Sequence, residues 1–277
     1  MNTERGMRNA ERGTAALRWF SWLVYAFLYA PIAVLVVFSF NSERQTAVWR
    51  GFTLDWYRVL FRDAAIGNAV ANSVIVAAAA TVIATVIGTM AGLAMARHEV
   101  PGKRATRSLL YLPVIVPEIV VGAALVSLFG FLAMRLSLTT VILAHVAFSI
   151  SYVALVVRAR LACFDRSLEE AAMDLGATRW QTFSRVTLPL IAPGVMAGAL
   201  LVFTLSIDDY IITSFVAGPG ATTLPLQIYW MVKTGITPEI NAVSTLLLAV
   251  TIVLIAAAQR LQVARRSTVF SDRGPGS

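Results

Sequence analysis

Residues 68–96 read NAVANSVIVAAAATVIATVIGTMAGLAMA and contain no charged side chain. A helix needs about 20 residues to cross the roughly 30 Å hydrocarbon core of a bilayer, and this stretch is longer than that. Five further apolar stretches are long enough, at about 19–40, 108–133, 139–160, 190–216 and 240–262. The sequence therefore predicts an all-α membrane protein with six transmembrane helices.

The composition agrees with a membrane location. Apolar residues make up 58% of the 277 and charged residues 14%, against about 25% charged in soluble domains. The charges cluster in short segments between the apolar stretches, which is typical of a polytopic helical protein and excludes a soluble two-domain enzyme. The first apolar stretch is too long for a signal peptide and lacks a cleavage pattern, so we expect it to remain as the first helix.

Redox, metal and nucleic-acid functions are not indicated. The single cysteine, Cys163, excludes an internal disulfide, and His98 and His145 are too far apart in sequence to suggest a metal site. The net charge of +8 comes from basic residues at the ends of apolar segments rather than along one face, so we predict no nucleic-acid partner.

The basic residues predict the orientation in the membrane. With six spans, both termini lie on the same side as loops 97–107 and 157–189, and this side carries most of the 23 Lys and Arg residues. The positive-inside rule makes it cytoplasmic. Residues 1–18 and 263–277 are then cytoplasmic tails around a transmembrane domain at 19–262. Loop 41–67 carries four arginines on the other side, and its Trp49, Trp56 and Tyr57 predict an amphipathic segment along the outer membrane surface.

The loop before the fifth span has an interpretable pattern, SLEEAAMDLGATRWQTFSRVTLP at 167–189. Ser167 is expected to cap a short helix whose first turn carries Glu169 and Glu170, matching the helix dipole. Ala171 and Ala172 give this helix a smooth side. Gly176 is expected to form a turn or C-terminal cap, and a second helix runs to Leu188 before Pro189 enters the span. Two short helices joined at a glycine suit docking better than catalysis.

This loop resembles the EAA motif of ABC-importer permeases, on Glu170-Ala171-Ala172, Gly176 and Leu188-Pro189. The resemblance implies the type I ABC-importer permease fold, with coupling helices at 165–189 that insert into a cleft of an ATPase. The ATPase-coupling residues are then Glu169, Glu170, Ala171, Ala172, Gly176, Leu188 and Pro189.

Nucleotide chemistry is expected on another chain. The only Gly-Lys pair, Gly102-Lys103, lacks the remainder of a phosphate-binding loop. The chain is therefore expected to bind no cofactor and to have no catalytic residue, with ATP and Mg²⁺ on a separate ATPase. One six-helix chain without an evident repeat also needs a second permease to close the pathway.

Carboxylates inside apolar spans cost about 2.5–3.5 kcal/mol each at the bilayer centre, so they are candidates for function. Glu118 lies about ten residues into the third span, where Pro113 and Pro117 are expected to open backbone hydrogen bonds. Asp208 and Asp209 lie in the fifth span and point about 100° apart on a helix, so one is expected to face cargo while its neighbour is paired or capped.

Three aromatic residues accompany these acids, namely Tyr210, Tyr229 and Trp230. Carboxylates with aromatic rings bind alkylammonium groups through charge-assisted hydrogen bonds and cation–π attraction, which favours an amine cargo. The alternatives are that the acids hold helices together or gate the pathway, and that the aromatic residues form an interfacial belt.

The residues around the acids resemble the permeases of spermidine/putrescine-type importers, closest to the second of their two permease chains. The similar segments are Pro117-Glu118-Ile119-Val120, Ser206-Ile-Asp-Asp-Tyr210, Leu224-Pro-Leu-Gln-Ile-Tyr229 and Gly235-Ile-Thr-Pro-Glu-Ile-Asn241-Ala. The resemblance implies a bacterial inner membrane protein that transports a polyamine. Its implied partners are a cytoplasmic ATPase dimer, a second homologous permease and a periplasmic or surface-tethered binding protein.

Two alternatives remain at this stage. An ABC permease for another small organic cargo would show the same coupling loop. An ion-gradient-driven transporter could use Glu118 and Asp208 or Asp209 as proton sites, but it leaves the 167–189 loop unexplained.

Overall fold

A computed structural model describes residues 2–43, 48–97, 102–162, 164–235 and 238–253 of the chain. They fall into two compact units, one of 1–63 with 231–250 and one centred on 64–230. The helices are α1 (Asn2–Phe38), α2 (Asp55–Arg62), α3 (Ala64–Arg97), α4 (Lys103–Ile115), α5 (Glu118–Phe131), α6 (Leu138–Ala162), α7 (Ser167–Asp174), α8 (Arg179–Thr182), α9 (Leu188–Asp208), α10 (Ile211–Val216), α11 (Leu224–Thr234) and α12 (Pro238–Val253), with a π turn at Phe183–Thr187.

Four helical stretches in the described part of the chain are long and apolar enough to cross a bilayer. They are Leu17–Phe38, Ala64–Arg97, Leu138–Ala162 and Arg179–Asp208. The prediction of an all-α chain is confirmed. A fifth crossing is present if α4 and α5 count as one bent span, and the predicted sixth, 240–262, extends beyond the described residues.

The expectation of one helix over 108–133 is wrong. The chain bends by 114° between α4 and α5, where Val116 and Pro117 adopt extended backbone angles. Pro117 has no N–H for the helix ladder, and its ring pushes the preceding residue out of the helical region. The proline therefore ends the helix rather than loosening it.

The larger unit is built around α6, which packs between α3 and α9. A Cβ atom on Gly88 of α3 would lie 2.7 Å from the Val153 Cβ of α6, and one on Gly198 of α9 would lie 3.4 Å from the Val153 Cα. Val153 is fully buried, as is Val157 one turn later. Glycines four residues apart, at 88/92 in α3 and 194/198 in α9, thus allow both helices to approach α6 closely.

A second apolar cluster joins α5, α6 and α10. Its buried members include Phe129, Val141, Phe148 and Ile212. A Cβ atom on Gly122 of α5 would lie 2.6 Å from the Phe215 ring of α10. The helix that begins at Glu118 therefore packs directly on the short helix that follows Asp209.

The smaller unit contains α1 and an ordered loop. The Phe40 ring packs on Phe52 at 5.4 Å and on Tyr57 at 5.3 Å, and the Trp56 indole donates a hydrogen bond to the Asn41 carbonyl at 2.7 Å. The amphipathic segment expected here is helix α2. Its position on the outer membrane surface stays a prediction.

Candidate functional site

The first candidate site is the elbow, residues 165–189, and its joint is Gly176. The Ala177 N–H donates to the Ala172 carbonyl at 3.0 Å and the Gly176 N–H donates to the Met173 carbonyl at 2.9 Å. This hydrogen-bond pair closes a helix through a residue in the left-handed region, and Gly176 has a φ of +88°. The turn expected at Gly176 is present because glycine adopts this backbone without steric cost.

The start of α7 differs from the expectation. Ser167 is the first helical residue rather than the cap, and its N–H donates to the Asp165 carboxylate at 3.0 Å. The hydrogen bonds from the Ser167 backbone and side chain lower the pKa of Asp165. The predicted cap at Ser167 is therefore wrong: the N-cap residue is Arg166, and the Asp165 carboxylate accepts the first N–H of the helix.

The second half of the elbow runs without interruption into the membrane span. Thr178 and Gln181 form a reciprocal capping box at the start of α8, with hydrogen bonds of 3.3 and 2.9 Å. The π turn follows, immediately before Leu188 and Pro189. Pro189 cannot donate to the Arg185 carbonyl, so the ordinary α pattern fails here and the wider turn takes its place.

Glu169 anchors the elbow to the end of α3. Its carboxylate accepts hydrogen bonds from the Arg97 guanidinium and from the Thr187 hydroxyl. The Glu169 side chain is only 12% exposed, and Thr187 is fully buried. The Arg97 guanidinium also lies 5.9 Å from the centre of the Phe164 ring. The sequence did not identify Arg97 or Thr187, because the partners are 72 and 18 residues away from Glu169.

The elbow exposes several large apolar side chains. Leu175 is 90% exposed and Trp180 is 72% exposed, with Leu168 and Met173 also exposed. Among the other predicted coupling residues, Glu170, Ala171, Leu188 and Pro189 are exposed and Ala172 is half-buried. Exposed apolar side chains of this kind are common where a protein contacts another protein, and the coupling role of the elbow stays a prediction.

The second candidate site is the helix break, residues 208–211, where the predicted fifth span does not continue as one helix. Helix α9 ends at Asp208, Asp209 has extended backbone angles, and α10 begins at Ile211. The Asp209 carboxylate accepts hydrogen bonds from the Ile212 N–H at 3.3 Å and from the Thr213 N–H and hydroxyl at 2.8 Å each. Asp209 thereby supplies acceptors for the first free N–H groups of α10.

A buried histidine of α6 contacts both sides of the helix break. His145 is fully buried, with its Nδ1 2.6 Å from the Ser206 hydroxyl. Its Nε2 lies 3.0 Å from the Thr213 hydroxyl and 3.3 Å from the Asp209 carboxylate. From the sequence, His145 was considered only as a metal ligand, and these contacts were not predicted. The available signal was a histidine in the middle of an apolar span, where a polar partner is required.

The remaining predicted residues of the cargo pathway lie in two parts of the larger unit, near the helix break and at the start of α5. Asp208 is exposed at the end of α9, and the ring of Tyr210 lies 4.5 Å from that of Tyr229, which lies 6.1 Å from Trp230. Glu118 is the exposed first residue of α5, one turn before the contact of Gly122 with α10. The sequence predicted that Glu118 would lie inside a continuous span. Instead it directly follows the bend between α4 and α5. Within the described residues no group of His, Cys, Asp or Glu could hold a metal ion.

Comparisons with known proteins support this architecture. Residues 84–268 match the model of the family described as binding-protein-dependent transport system inner membrane component. The putrescine transport system permease protein PotI of Escherichia coli K12 is 43% identical over 233 residues, covering 82% of this chain and 83% of its own length. The spermidine/putrescine transport system permease protein PotC of the same strain is 39% identical over 240 residues, covering 87% and 91%.

A more distant relative is the putative 2-aminoethylphosphonate transport system permease protein PhnV of Salmonella typhimurium LT2. It is 29% identical over 243 residues, covering 87% of this chain and 91% of its own length.

Solved structures give the fold. A bacterial alginate ABC transporter in complex with an alginate pentasaccharide-bound periplasmic protein superposes with a TM-score of 0.73 at 19% identity, covering 94% of this chain and 96% of that chain. The MetNI methionine ABC transporter, in inward-facing conformations, superposes with a TM-score of 0.62 at 19% identity, covering 77% and 99%. The type I ABC-importer permease fold implied by the elbow motif is confirmed. The chain is a multi-pass inner membrane protein that belongs to the family of inner membrane components of binding-protein-dependent transport systems.

Proposed function

We propose that this chain forms part of the transmembrane pathway for a polyamine, putrescine or spermidine, in an ABC importer. The observation that carries the cargo class is an exposed carboxylate, Asp208, two residues before Tyr210, whose ring packs in a row with those of Tyr229 and Trp230. A carboxylate attracts an ammonium group and the rings accept it through cation–π contact. The names of the relatives PotI and PotC support the same cargo.

The elbow is proposed to receive the ATPase. Its exposed Leu175 and Trp180 side chains would enter an apolar groove of the partner, as large apolar anchors do in protein interfaces. A movement of the ATPase can then be transmitted from the elbow to the membrane helices by two routes. One is the contact of Glu169 with Arg97 at the end of α3. The other is the continuous helical stretch Arg179–Asp208, which is 30 residues or about 45 Å long and leads from the elbow to the helix break.

The assembly and the topology follow from this proposal. ATP and Mg²⁺ bind a cytoplasmic ATPase dimer, a second homologous permease completes the pathway, and a periplasmic or surface-tethered binding protein delivers cargo. The elbow and both termini then face the cytoplasm. A reporter fused after Arg266 that registered outside the cytoplasm would contradict this orientation.

Another small amine is the second candidate cargo, favoured by the similarity to a putative 2-aminoethylphosphonate permease. Such a cargo carries an anionic group beside its ammonium group, which the exposed Asp208 would repel. Competition between labelled putrescine and each unlabelled compound in cells with the full importer would separate the two cargoes.

The test of the pathway is uptake of labelled putrescine and spermidine by the assembled importer with Asp208→Asn. We expect uptake to fall about tenfold while the complex still co-purifies, because a desolvated charge contact to the ammonium group is lost. Unchanged uptake of both compounds would remove Asp208 from the pathway.

The test of coupling uses Trp180→Ala, with Trp230→Ala as a matched exposed tryptophan outside the elbow. Trp180→Ala is expected to weaken ATPase co-purification at least about tenfold without altering the stability of the isolated chain. Equal retention of the ATPase by both variants would show that the elbow surface is not the docking site.

A further inference from the structure

His145 joins the two helices that flank the helix break. Ser206 belongs to the last turn of α9, before the break, whereas Thr213 belongs to the first turn of α10, after it. The imidazole of α6 contacts the first through Nδ1 at 2.6 Å and the second through Nε2 at 3.0 Å. One rigid ring thus links two helices that are separated by the extended backbone at Asp209.

The hydrogen atoms of this cluster can be assigned by counting donors. The Thr213 hydroxyl has one hydrogen, and it donates this hydrogen to the Asp209 carboxylate. Nε2 must therefore carry a hydrogen, which it directs at the Thr213 oxygen and the Asp209 carboxylate. In the neutral ring Nδ1 is an acceptor and receives the hydrogen of the Ser206 hydroxyl. In this orientation the ring has a hydrogen-bond partner at each of its two nitrogens.

Burying these polar groups in an apolar environment costs desolvation free energy. A fully hydrogen-bonded cluster can offset part of this cost and can also select one geometry. Ser206, Thr213 and His145 are at most 4% exposed and border the apolar cluster of α5, α6 and α10. Apolar side chains of similar volume would fill this space with less desolvation, while polar networks are worth most where they select one arrangement. The arrangement selected here is the relative orientation of α9 and α10.

We propose that His145 is a positioning residue for transport: by fixing the helix break, it sets where the Asp208 carboxylate and the Tyr210 ring are presented to a cationic cargo. This inference rests on the proposed function, in which cargo passes Asp208. His145 itself touches no cargo, because it is fully buried. It acts through Asp209, which lies between the two presented residues.

The experiment compares His145→Leu and His145→Asn with Val153→Ala in the complete importer with its ATPase, second permease and binding protein. Val153 is also a buried residue of α6, but it packs on Gly88 and Gly198 away from the helix break. The first readout is the apparent KM and maximal rate of labelled putrescine uptake. We expect His145→Leu to raise KM about tenfold, with the maximal rate per assembled complex changed less than about twofold. Val153→Ala should lower the amount of complex and leave KM unchanged.

The second readout does not depend on transport. Cys163 is the only cysteine of the sequence, so Asp208→Cys in a Cys163→Ser background gives one reactive thiol. His145→Leu is expected to change the rate of labelling at this thiol at least about threefold, whereas Val153→Ala is not. His145→Asn, which can reach Ser206 but not Thr213, should give intermediate values in both readouts.

Wild-type KM and wild-type labelling in His145→Leu would overturn the proposal. If His145→Leu does not assemble, His145→Asn decides by the same two measurements, and wild-type values for both overturn it equally. If the unmodified importer takes up neither putrescine nor spermidine, the proposed function fails instead, while the labelling rates still test whether His145 sets the position of residue 208.

Discussion

The elbow and the helix break each contain two adjacent acids, and in both regions one acid is held while the other is exposed. In the elbow, Glu169 is held by Arg97 and Thr187 and Glu170 faces outward. At the helix break, Asp209 is held by His145 and Thr213 and Asp208 is exposed. The two regions differ in backbone. Glu169 and Glu170 lie inside a helix, whereas Asp209 interrupts one.

This difference shows what the held acid does. Glu169 joins two elements that are already complete helices, so its partners determine how the elbow is attached. Asp209 replaces backbone hydrogen bonds that the break removes, so its partners determine whether α10 forms. The free energy of unfolding should therefore depend more strongly on Asp209 at the helix break than on Glu169 in the elbow.

The largest effect is expected for Asp209→Ala. It removes the acceptor of three hydrogen bonds at the start of α10 and leaves buried donors unpaired, at a cost of about 3 kcal/mol. The thermal midpoint of the detergent-purified chain should fall by several degrees. Asp208→Ala is the matched control and should shift the midpoint little. A larger destabilisation by Asp208→Ala would reverse the assignment of the held acid.

A smaller loss is expected for Glu169→Gln, which weakens a mostly buried charge pair with Arg97. We expect about 2 kcal/mol, against less than about 0.5 kcal/mol for the exposed Glu170→Gln. The pairing itself is tested by a double-mutant cycle of Glu169→Gln with Arg97→Gln, read from thermal midpoints. If the two changes add without any coupling term, the contact between these side chains contributes nothing.

Gly176→Ala should cost about 1 kcal/mol, because its φ of +88° is strained for alanine although the site is open. Gly67→Ala is the control with the opposite sign. Gly67 also has open space around it but lies within helix α3, where alanine is the better helix former. Thermal midpoints should move down for the first variant and up for the second. A downward shift of the same size for both would indicate a cause other than the backbone of Gly176.

The smallest effect is expected at Asp165, whose pKa is lowered by its hydrogen bonds with Ser167. Its stabilisation of α7 is complete above the unfolded pKa of about 3.9 and is lost as the pH falls through the lower folded value. Hydrogen exchange in α7 should therefore increase below about pH 4 in the wild type. Asp165→Asn should exchange faster already at neutral pH and lose this acid-dependent step. Identical exchange in both proteins would show that the hydrogen bond from Ser167 to Asp165 does not stabilise the start of α7.

Local sequence rules predicted the elements better than they predicted the contacts. Gly176 and Pro189 constrain their own backbone, so the turn and the entry into the span were predictable from the residues themselves. Pro117 was recognised as a disturbance, but its effect was underestimated. Asp208 and Asp209 were placed on one helix because their apolar surroundings continue to Phe215, and the pattern contains no signal for the interruption.

The partners of the held acids were not predictable, since they depend on the tertiary fold. Arg97 precedes Glu169 by 72 residues, and His145 belongs to α6 whereas its partner Asp209 follows α9. The sequence shows that a buried polar group requires a partner, but only the packing of α6 against α9 and α10 shows which one it has.

The close packing at Val153 has a mechanical consequence. A Cβ atom on Gly88 would overlap Val153 and one on Gly198 would touch it, so α6 is in close contact with both α3 and α9. These three helices should therefore move as one rigid block. Rearrangement of the larger unit during a transport cycle is then expected at breaks in the helices such as those at Pro117 and Asp209, and both breaks lie next to an exposed acid.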